Sequence, residues 1–207
     1  MNLAENRLIF LVRHGKIELE DEQRRYIGQL DLPLNEAGVR QARGLQKRLA
    51  GANIGTIFCS DLIRSRQTAA ILAGDKGIAV IPRKELREID LGRWEGCKFA
   101  EIARHFPNEF KARGADIGYY RVPGGESFAD CSRRVVAAFH DILTATEGPI
   151  LLVGHAGVNR VLLCYMLGIP LANLFRISQD YGCLNMIQCS SYGYQVKLVN
   201  YCAFTGR

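Results

Sequence analysis

The sequence predicts a single α/β domain, a three-layer α/β/α sandwich with a mostly parallel central sheet. Short apolar runs alternate with helix-period segments along the chain, the pattern of strands and crossover helices. At 207 residues, 48% hydrophobic and 23% charged, the chain has the composition of a globular protein with one sizeable core. No repeat, low-complexity tract or linker divides residues 1–207.

Residues 8–12, Leu-Ile-Phe-Leu-Val, read as a buried strand, with Arg13, His14 and Gly15 at its carboxyl end. Open α/β sheets bind ligands outside the carboxyl ends of their strands, so chemistry is expected there. The polar loop over 16–33 is long for a compact domain, as functional loops often are. Asn35 is a helix N-cap. Ala37, Val39, Ala42, Leu45 and Leu49 then recur at helical spacing, with Gly51 as the stop.

Residues 54–59 read as a second strand. Ser60-Asp61 caps a helix over 62–73 that carries Arg64 and Arg66 in its first turns. Residues 78–81 make a third strand, ended by Pro82. The segment 86–96 has no clean period and reads as an ordered loop holding the only Trp. Residues 98–122 read as one or two short helices broken at Pro107 and Gly114. Their aromatic and basic content makes the segment 97–125 either a cap over a pocket or an insertion packed on the core.

Pro123-Gly-Gly-Glu-Ser127 is a turn, and the next helix runs to about Thr146 with Phe128, Val135, Val136, Phe139 and Leu143 on its apolar side. Residues 150–153 are a fourth strand, ending in Gly154-His155-Ala156-Gly157. A helix over about 158–167 stops at Gly168. Strands near 183–189 and 194–201, joined by Ser190-Ser-Tyr-Gly193, read as a hairpin that adds an antiparallel element.

The formal charge of +6 favours anionic ligands. The basic residues are dispersed in pairs, such as Arg24-Arg25 and Arg133-Arg134, and no nucleic-acid motif accompanies them, which argues against that partner. Seven cysteines occur without a CxxC pair or a His-Cys cluster, so zinc-site spacing is absent. They read as reduced thiols of a cytoplasmic protein. Residues 1–7 lack the apolar region of a signal peptide, and no apolar run is long enough to span a bilayer, so no membrane partner is expected.

Two strands end alike, in Leu-Val-Arg-His14-Gly and Leu-Val-Gly-His155-Ala-Gly. The other two histidines, His105 and His140, fall on helices and read as surface or structural groups. Two strand-end imidazoles, with Arg13 beside one and Arg64 opening a helix between them, point to an anion site.

These residues and their neighbours resemble the histidine phosphatase superfamily, the phosphoglycerate-mutase-like fold. The resemblance rests on Arg13-His14-Gly15, Gly28-Gln-Leu-Asp-Leu-Pro-Leu34, Ser60-Asp-Leu-Ile-Arg-Ser-Arg-Gln-Thr-Ala69, Leu86-Arg-Glu-Ile-Asp-Leu-Gly-Arg-Trp-Glu-Gly96, Pro123-Gly-Gly-Glu-Ser127 and Gly154-His155-Ala-Gly157, all in the family's order. It implies that His14 is the nucleophile that becomes phosphohistidine. To attack, His14 has to be neutral, with one ring nitrogen free and the other ring N–H held. It implies that Arg13, Arg64 and His155 surround the phosphoryl oxygens, and that Glu88 is the proton donor, with Glu95 in reserve. Gly15, Lys16, Ile27, Gly28 and Ala156 would line the substrate. The resemblance implies no cofactor and no metal, since the cations take a metal's place.

Lys16, Ile17 and Glu20 stand where the family more often has Glu or Gln, Ser or Thr, and Asn. This puts a second tier of phosphate contacts in question. Mutases of the family carry a Tyr three residues after the donor acid, and here that place is Leu91. A phosphatase acting on a small phosphorylated metabolite is therefore implied. Among phosphatases the motifs most resemble those acting on α-ribazole 5′-phosphate, with broad-specificity or sugar-phosphate phosphatases as the alternative. A catalytically silent phospholigand-binding protein is the reading from another class, and a homodimer is left open.

Overall fold

A computed structural model describes residues 6–19, 21 and 23–203, so the expectation for Glu20 lies outside the described residues. The order is β1 (Arg7–Arg13), α1 (Glu36–Arg48), β2 (Thr56–Ser60), α2 (Ile63–Ala73), β3 (Ala79–Arg83), α3 (Phe99–His105), α4 (Pro107–Ala115), α5 (Phe128–Ala145), β4 (Ile150–Gly154), α6 (Ala156–Leu167), β5 (Cys183–Ser190) and β6 (Gly193–Cys202). Short 3-10 helices cover Lys84–Leu86, Gly92–Trp94 and Leu171–Arg176.

The strands form one sheet in the order β3-β2-β4-β1-β5-β6. Four are parallel, while β5 runs antiparallel to both β1 and β6. Side-chain alternation sorts each central strand between two cores. Ile9, Leu11, Ile150 and Leu152 face α5 and α6. Phe10, Val12, Leu151 and Val153 face α1 and α2. Each such side chain removed from water is worth about 1.5–3 kcal/mol. With both faces covered, β1 and β4 read as continuous apolar runs.

The chain leaves β1 toward β2 on one side and leaves β4 toward β5 on the other. The adjacent carboxyl ends of β1 and β4 are thus a topological switch point, where a crevice opens.

Several expected boundaries shift. The first helix ends at Arg48 with Leu49 as its cap, so Gly51 is not the stop. The second strand begins at Thr56 rather than residue 54. Ser60-Asp61 does not cap α2, because the Asp61 carboxylate pairs with Arg87 and the Ile63 N–H donates to Asp31 Oδ1 at 2.7 Å. Pro82 lies inside β3, which tolerates it because β3 is an edge strand.

Pro107 opens α4 at its N-terminus, as proline commonly does, and Gly114 lies inside that helix rather than breaking it. Ile102 and Val122 are buried in the core, while Phe99 and Arg113 line a cavity. The last crossover helix starts at Ala156, two residues earlier than its sequence suggests. Asn35 caps α1 through Gly38 N–H, and Ser127 with Asp130 forms a capping box on α5, both as expected.

Candidate active site

His14 and His155 flank the crevice between β1 and β4, with ring centroids 5.0 Å apart in an edge-to-face arrangement. The His14 N–H extends the ladder to the Gly154 carbonyl at 3.1 Å, which fixes the two strand ends to each other. Asn159 ties them a second time. With its amide turned to satisfy both ends, its nitrogen donates to the His155 carbonyl and its oxygen accepts from the Arg13 N–H, each at 3.2 Å.

The His14 ring lies 2.8 Å from the Gly15 carbonyl through Nδ1. A carbonyl only accepts, so Nδ1 carries the proton and Nε2 keeps its lone pair. Burial, then the Arg13 and Arg64 guanidiniums, hold the His14 pKa well below 6.5, so the ring is neutral. Its Gly15 neighbour is a structural hinge. The Gly15 N–H donates to Thr68 Oγ1, and its α-carbon approaches Gly38 too closely for any side chain.

Arg64 is 1% exposed, and all three of its guanidinium nitrogens are engaged. Nη1 donates to the Leu30 carbonyl at 2.7 Å, Nη2 to the Gly28 carbonyl at 2.6 Å, and Nε to His155 Nδ1 at 3.3 Å. The last bond makes Nδ1 the acceptor and places the His155 proton on Nε2. That buried Nε2–H has no partner among the described residues. Burial and the neighbouring Arg64 also hold the His155 pKa well below 6.5. Each Arg64 Nη keeps a further N–H, so the side chain can serve an anion while bracing the 28–30 loop.

Arg13 donates to the Gln179 carbonyl at 2.6 Å, and its guanidinium lies 3.7 Å from the Tyr181 ring centroid. Gln179 is held in turn by Asn185, whose Nδ2 also donates to the Leu11 carbonyl at 3.0 Å. Sequence reading does not select Gln179, Tyr181, Asn159 or Asn185. The one available signal is Asn185, a polar residue among the apolar residues of 183–187.

Glu88 sits at the N-terminus of α6, a position that favours negative charge. Its carboxylate accepts from the N–H groups of Gly157 at 2.9 Å, Val158 at 3.3 Å and Ile89 at 3.0 Å. A Cβ at position 157 would fall 2.5 Å from Glu88 Oε1, so only glycine lets the carboxylate reach the helix.

Glu95 plays another part. Its oxygens accept from the N–H groups of Gly28, Gln29, Leu30 and Leu91, which folds the loop that Arg64 braces. Glu95 is not among the residues that line the cavity beside Glu88.

That cavity, about 330 Å3, is lined by Glu88, Ile27, Ala156 and Gly157 on one side. Arg24, Arg113, Arg160 and a set of aromatic rings line the rest. Ile27 and Ala156 therefore stand where substrate lining is expected. The amide and carbonyl of Gly28 are taken up by Glu95 and Arg64, so Gly28 shapes the site as scaffold. Ile17 is 1% exposed and bridges to Leu34, packing the loop where the family more often has a hydroxyl. The Lys16 N–H donates to Gln41 Oε1 and the Lys16 carbonyl accepts from Asn35 N–H. A larger cavity, about 470 Å3, lies by Cys59, Arg66 and Pro82, and none of the residues above line it.

Among the described residues no group of three or more His, Cys, Asp or Glu is arranged to hold a metal ion, and no helix is long and apolar enough to cross a membrane. The seven cysteines are free, and burial pushes the Cys59 thiol up to about 11 and Cys183 to about 12.

A family model of the histidine phosphatase superfamily (branch 1) matches residues 9–201. The bifunctional protein Rv2228c of Mycobacterium tuberculosis is 36% identical over 197 residues, covering 93% of this chain and 53% of that protein. The chain thus spans about half the length of the first curated relatives it matches. A Yersinia pestis protein named "Probable phosphoglycerate mutase GpmB" is 35% identical over 163 residues, 78% of this chain and 75% of its own. The crystal structure of the α-ribazole phosphatase from Shigella flexneri superposes with a TM-score of 0.85 at 25% identity, covering 97% of this chain and 98% of that one.

Proposed function

The chain belongs to the histidine phosphatase superfamily, and from that premise we propose that it is a phosphomonoester phosphatase that needs no metal and works through phosphohistidine. The observation that carries the reading is His14 itself, neutral, with Nδ1–H held by the Gly15 carbonyl and its charged form disfavoured by burial and by the Arg13 and Arg64 guanidiniums. In this reading Nε2 attacks phosphorus, the N–P bond forms and the P–O bond to the leaving group breaks. Arg13, Arg64 and the unpartnered His155 Nε2–H receive the equatorial oxygens, as positioned donors do in phosphoryl transfer.

Glu88, bordering the cavity, protonates the leaving oxygen and afterwards takes a proton from water, which attacks the phosphohistidine and releases phosphate. Leu91 is buried in the core, so at the position where mutases carry a tyrosine this chain offers the site no hydroxyl. This supports water as the acceptor. The segment 97–125 acts as the cap, through Phe99 and Arg113.

Likeness to the Shigella flexneri enzyme makes α-ribazole 5′-phosphate the first substrate to try, with sugar phosphates the alternative. The test is phosphate release from a panel holding α-ribazole 5′-phosphate, sugar phosphates, 3-phosphoglycerate and p-nitrophenyl phosphate, with and without chelator. Turnover that persists in chelator and is blocked by vanadate is expected. No turnover of any ester from mildly acidic to neutral pH overturns the reading, and so does activity that depends on added Mg²⁺ or Zn²⁺.

A further inference from the structure

Arg13 ends β1, but what holds its guanidinium comes from the far end of the chain. Nη1 donates to the Gln179 carbonyl at 2.6 Å, and the guanidinium carbon lies 3.7 Å from the Tyr181 ring centroid. The same ring stands 5.6 Å from the His14 ring, and the Gly182 N–H donates to the His14 carbonyl at 3.1 Å. Residues 179–182 thus meet both Arg13 and His14. With Nη1 seated and the flat face against a ring, the edge formed by Nε and Nη2 remains. Nε is buried and has no partner among the described residues. Such an edge is the fork that meets two oxygens of a phosphoryl group at once.

Buried polar groups brace this segment from the β5–β6 hairpin. Gln179 is 3% exposed and Asn185 fully buried, and they exchange two amide bonds, Nε2 to Oδ1 at 2.7 Å and Nδ2 to Oε1 at 3.0 Å. In the ladder Leu184 pairs with Tyr201 and Met186 with Leu198, so Val199 and Asn200 together oppose Asn185. This is a β-bulge, a device that re-aims side chains and is over-represented beside active sites. Asn200 takes a φ of 54°, left-handed backbone that asparagine visits more readily than most side chains do. Its N–H thereby reaches Asn185 Oδ1 at 2.9 Å. Its side chain clamps Asp180, accepting from the Asp180 N–H at 2.7 Å and donating to Asp180 Oδ2 at 2.8 Å. A bulge, a left-handed asparagine and a buried amide pair converge on three residues that carry Arg13. Irregularities of this kind, held in place by surrounding bonds, point to function.

We propose that residues 179–181 are a seat that aims the Arg13 guanidinium, with Tyr181 as a positioning residue acting through Arg13 and Asn200 as the clamp behind it. The inference rests on the phosphatase reading, in which Arg13 receives the phosphoryl group. Tyr181 acts through its ring face, which fixes the plane of the guanidinium and leaves the in-plane N–H groups for the anion. Its phenol oxygen takes no part.

A double-mutant cycle between Arg13 and Tyr181 tests it. The readout is kcat/KM for the fastest ester of the phosphatase panel, from single turnovers with enzyme in excess so that slow variants are still timed. Tyr181→Leu should lower the value about three- to thirtyfold, the worth of one partly desolvated cation–π contact. Tyr181→Phe should stay within about twofold of wild type, because the ring face remains. On an Arg13→Met background Tyr181→Leu should cost less than about twofold, since no guanidinium is left to aim. Asn200→Gly keeps the positive φ but loses both side-chain bonds to Asp180, and should lower kcat/KM by a smaller factor, again only where Arg13 is present. A side chain that merely holds the fold would cost the same on both backgrounds. Such an equal loss overturns the proposal. So does a Tyr181→Phe loss as deep as that of Tyr181→Leu, or a Tyr181→Leu enzyme that matches wild type.

If no ester turns over, the phosphatase reading fails, and calorimetric binding of inorganic phosphate decides the seat. Weaker binding in Tyr181→Leu but not in Tyr181→Phe supports it, and any other pattern overturns it.

Discussion

His14 leaves β1 into a loop, whereas His155 leaves β4 directly into α6. Their rings face each other across one crevice, yet they are wired in opposite senses. The His14 proton is on Nδ1, pinned by the next residue's carbonyl, so the far nitrogen is a base. The His155 proton is on Nε2, because Arg64 occupies Nδ1, so its far nitrogen is a donor. One local carbonyl and one distant arginine thus turn the same side chain into two reagents. In the proposed mechanism the tautomer, rather than the residue type, separates nucleophile from phosphate ligand.

Replacing each imidazole should break the symmetry unequally. His14→Ala should lower kcat by about four orders of magnitude or more, since nothing else in the crevice has a free basic nitrogen. Acid-quenched single turnovers should then show no phosphoprotein. If phosphoprotein persists, another residue carries the phosphoryl group.

Glu88→Gln should slow alkyl phosphates by about 10²–10⁴ and aryl phosphates much less, because an aryl oxide leaves without a proton. Glu95→Gln should instead cost stability by about 1–3 kcal/mol in denaturant titration, with no change in leaving-group dependence, since it unmakes backbone hydrogen bonds of the 28–30 loop. An interchange of the two patterns would return the acid role to Glu95.

His155→Ala should lower kcat by about 10²–10³, the usual effect of losing one positioned donor. It should still form phosphoprotein on His14 slowly. A loss as deep as that of His14→Ala would mean that the two rings act as one unit.

The last expected effect is on stability rather than rate. Both imidazoles have folded pKa values well below 6.5, so the unfolded chain binds more protons than the folded one as pH falls beneath that value. The stability they preserve is fully present above about pH 6.5 and is lost as pH drops toward the folded pKa values. The slope is about 1.4 kcal/mol per pH unit for each ring. Urea midpoints between pH 7 and 5 should show this slope, and His14→Ala should remove one ring's share. A flat profile would place the rings in a less buried setting.

The central strands and both histidines are legible in sequence because their causes are local. Apolar runs mark strands covered on both faces, and a polar group at the end of such a run stands out. Boundaries set by distant partners are not legible. The start of α6 at Ala156 reads as loop because Gly157 weakens a helix. Glu88, 69 residues away, supplies the cap that lets the helix begin there. Asp31 does the same for α2 from 32 residues away. Gln179 and Arg113 carry no signal because their roles come from what folds beside them.

The anchor of Arg13 has a consequence for the order of assembly. Gln179 lies 166 residues downstream of the arginine it holds. The strand that pairs with β1 on that side, Leu184 to Cys189, is synthesised later still. A chain emerging from the ribosome therefore exposes His14 early, but Arg13 gains its seat only when the last hairpin docks. Long-range pairing of this kind is a slow step in folding. On the proposed mechanism, activity should therefore appear only once the sheet has closed around Arg13.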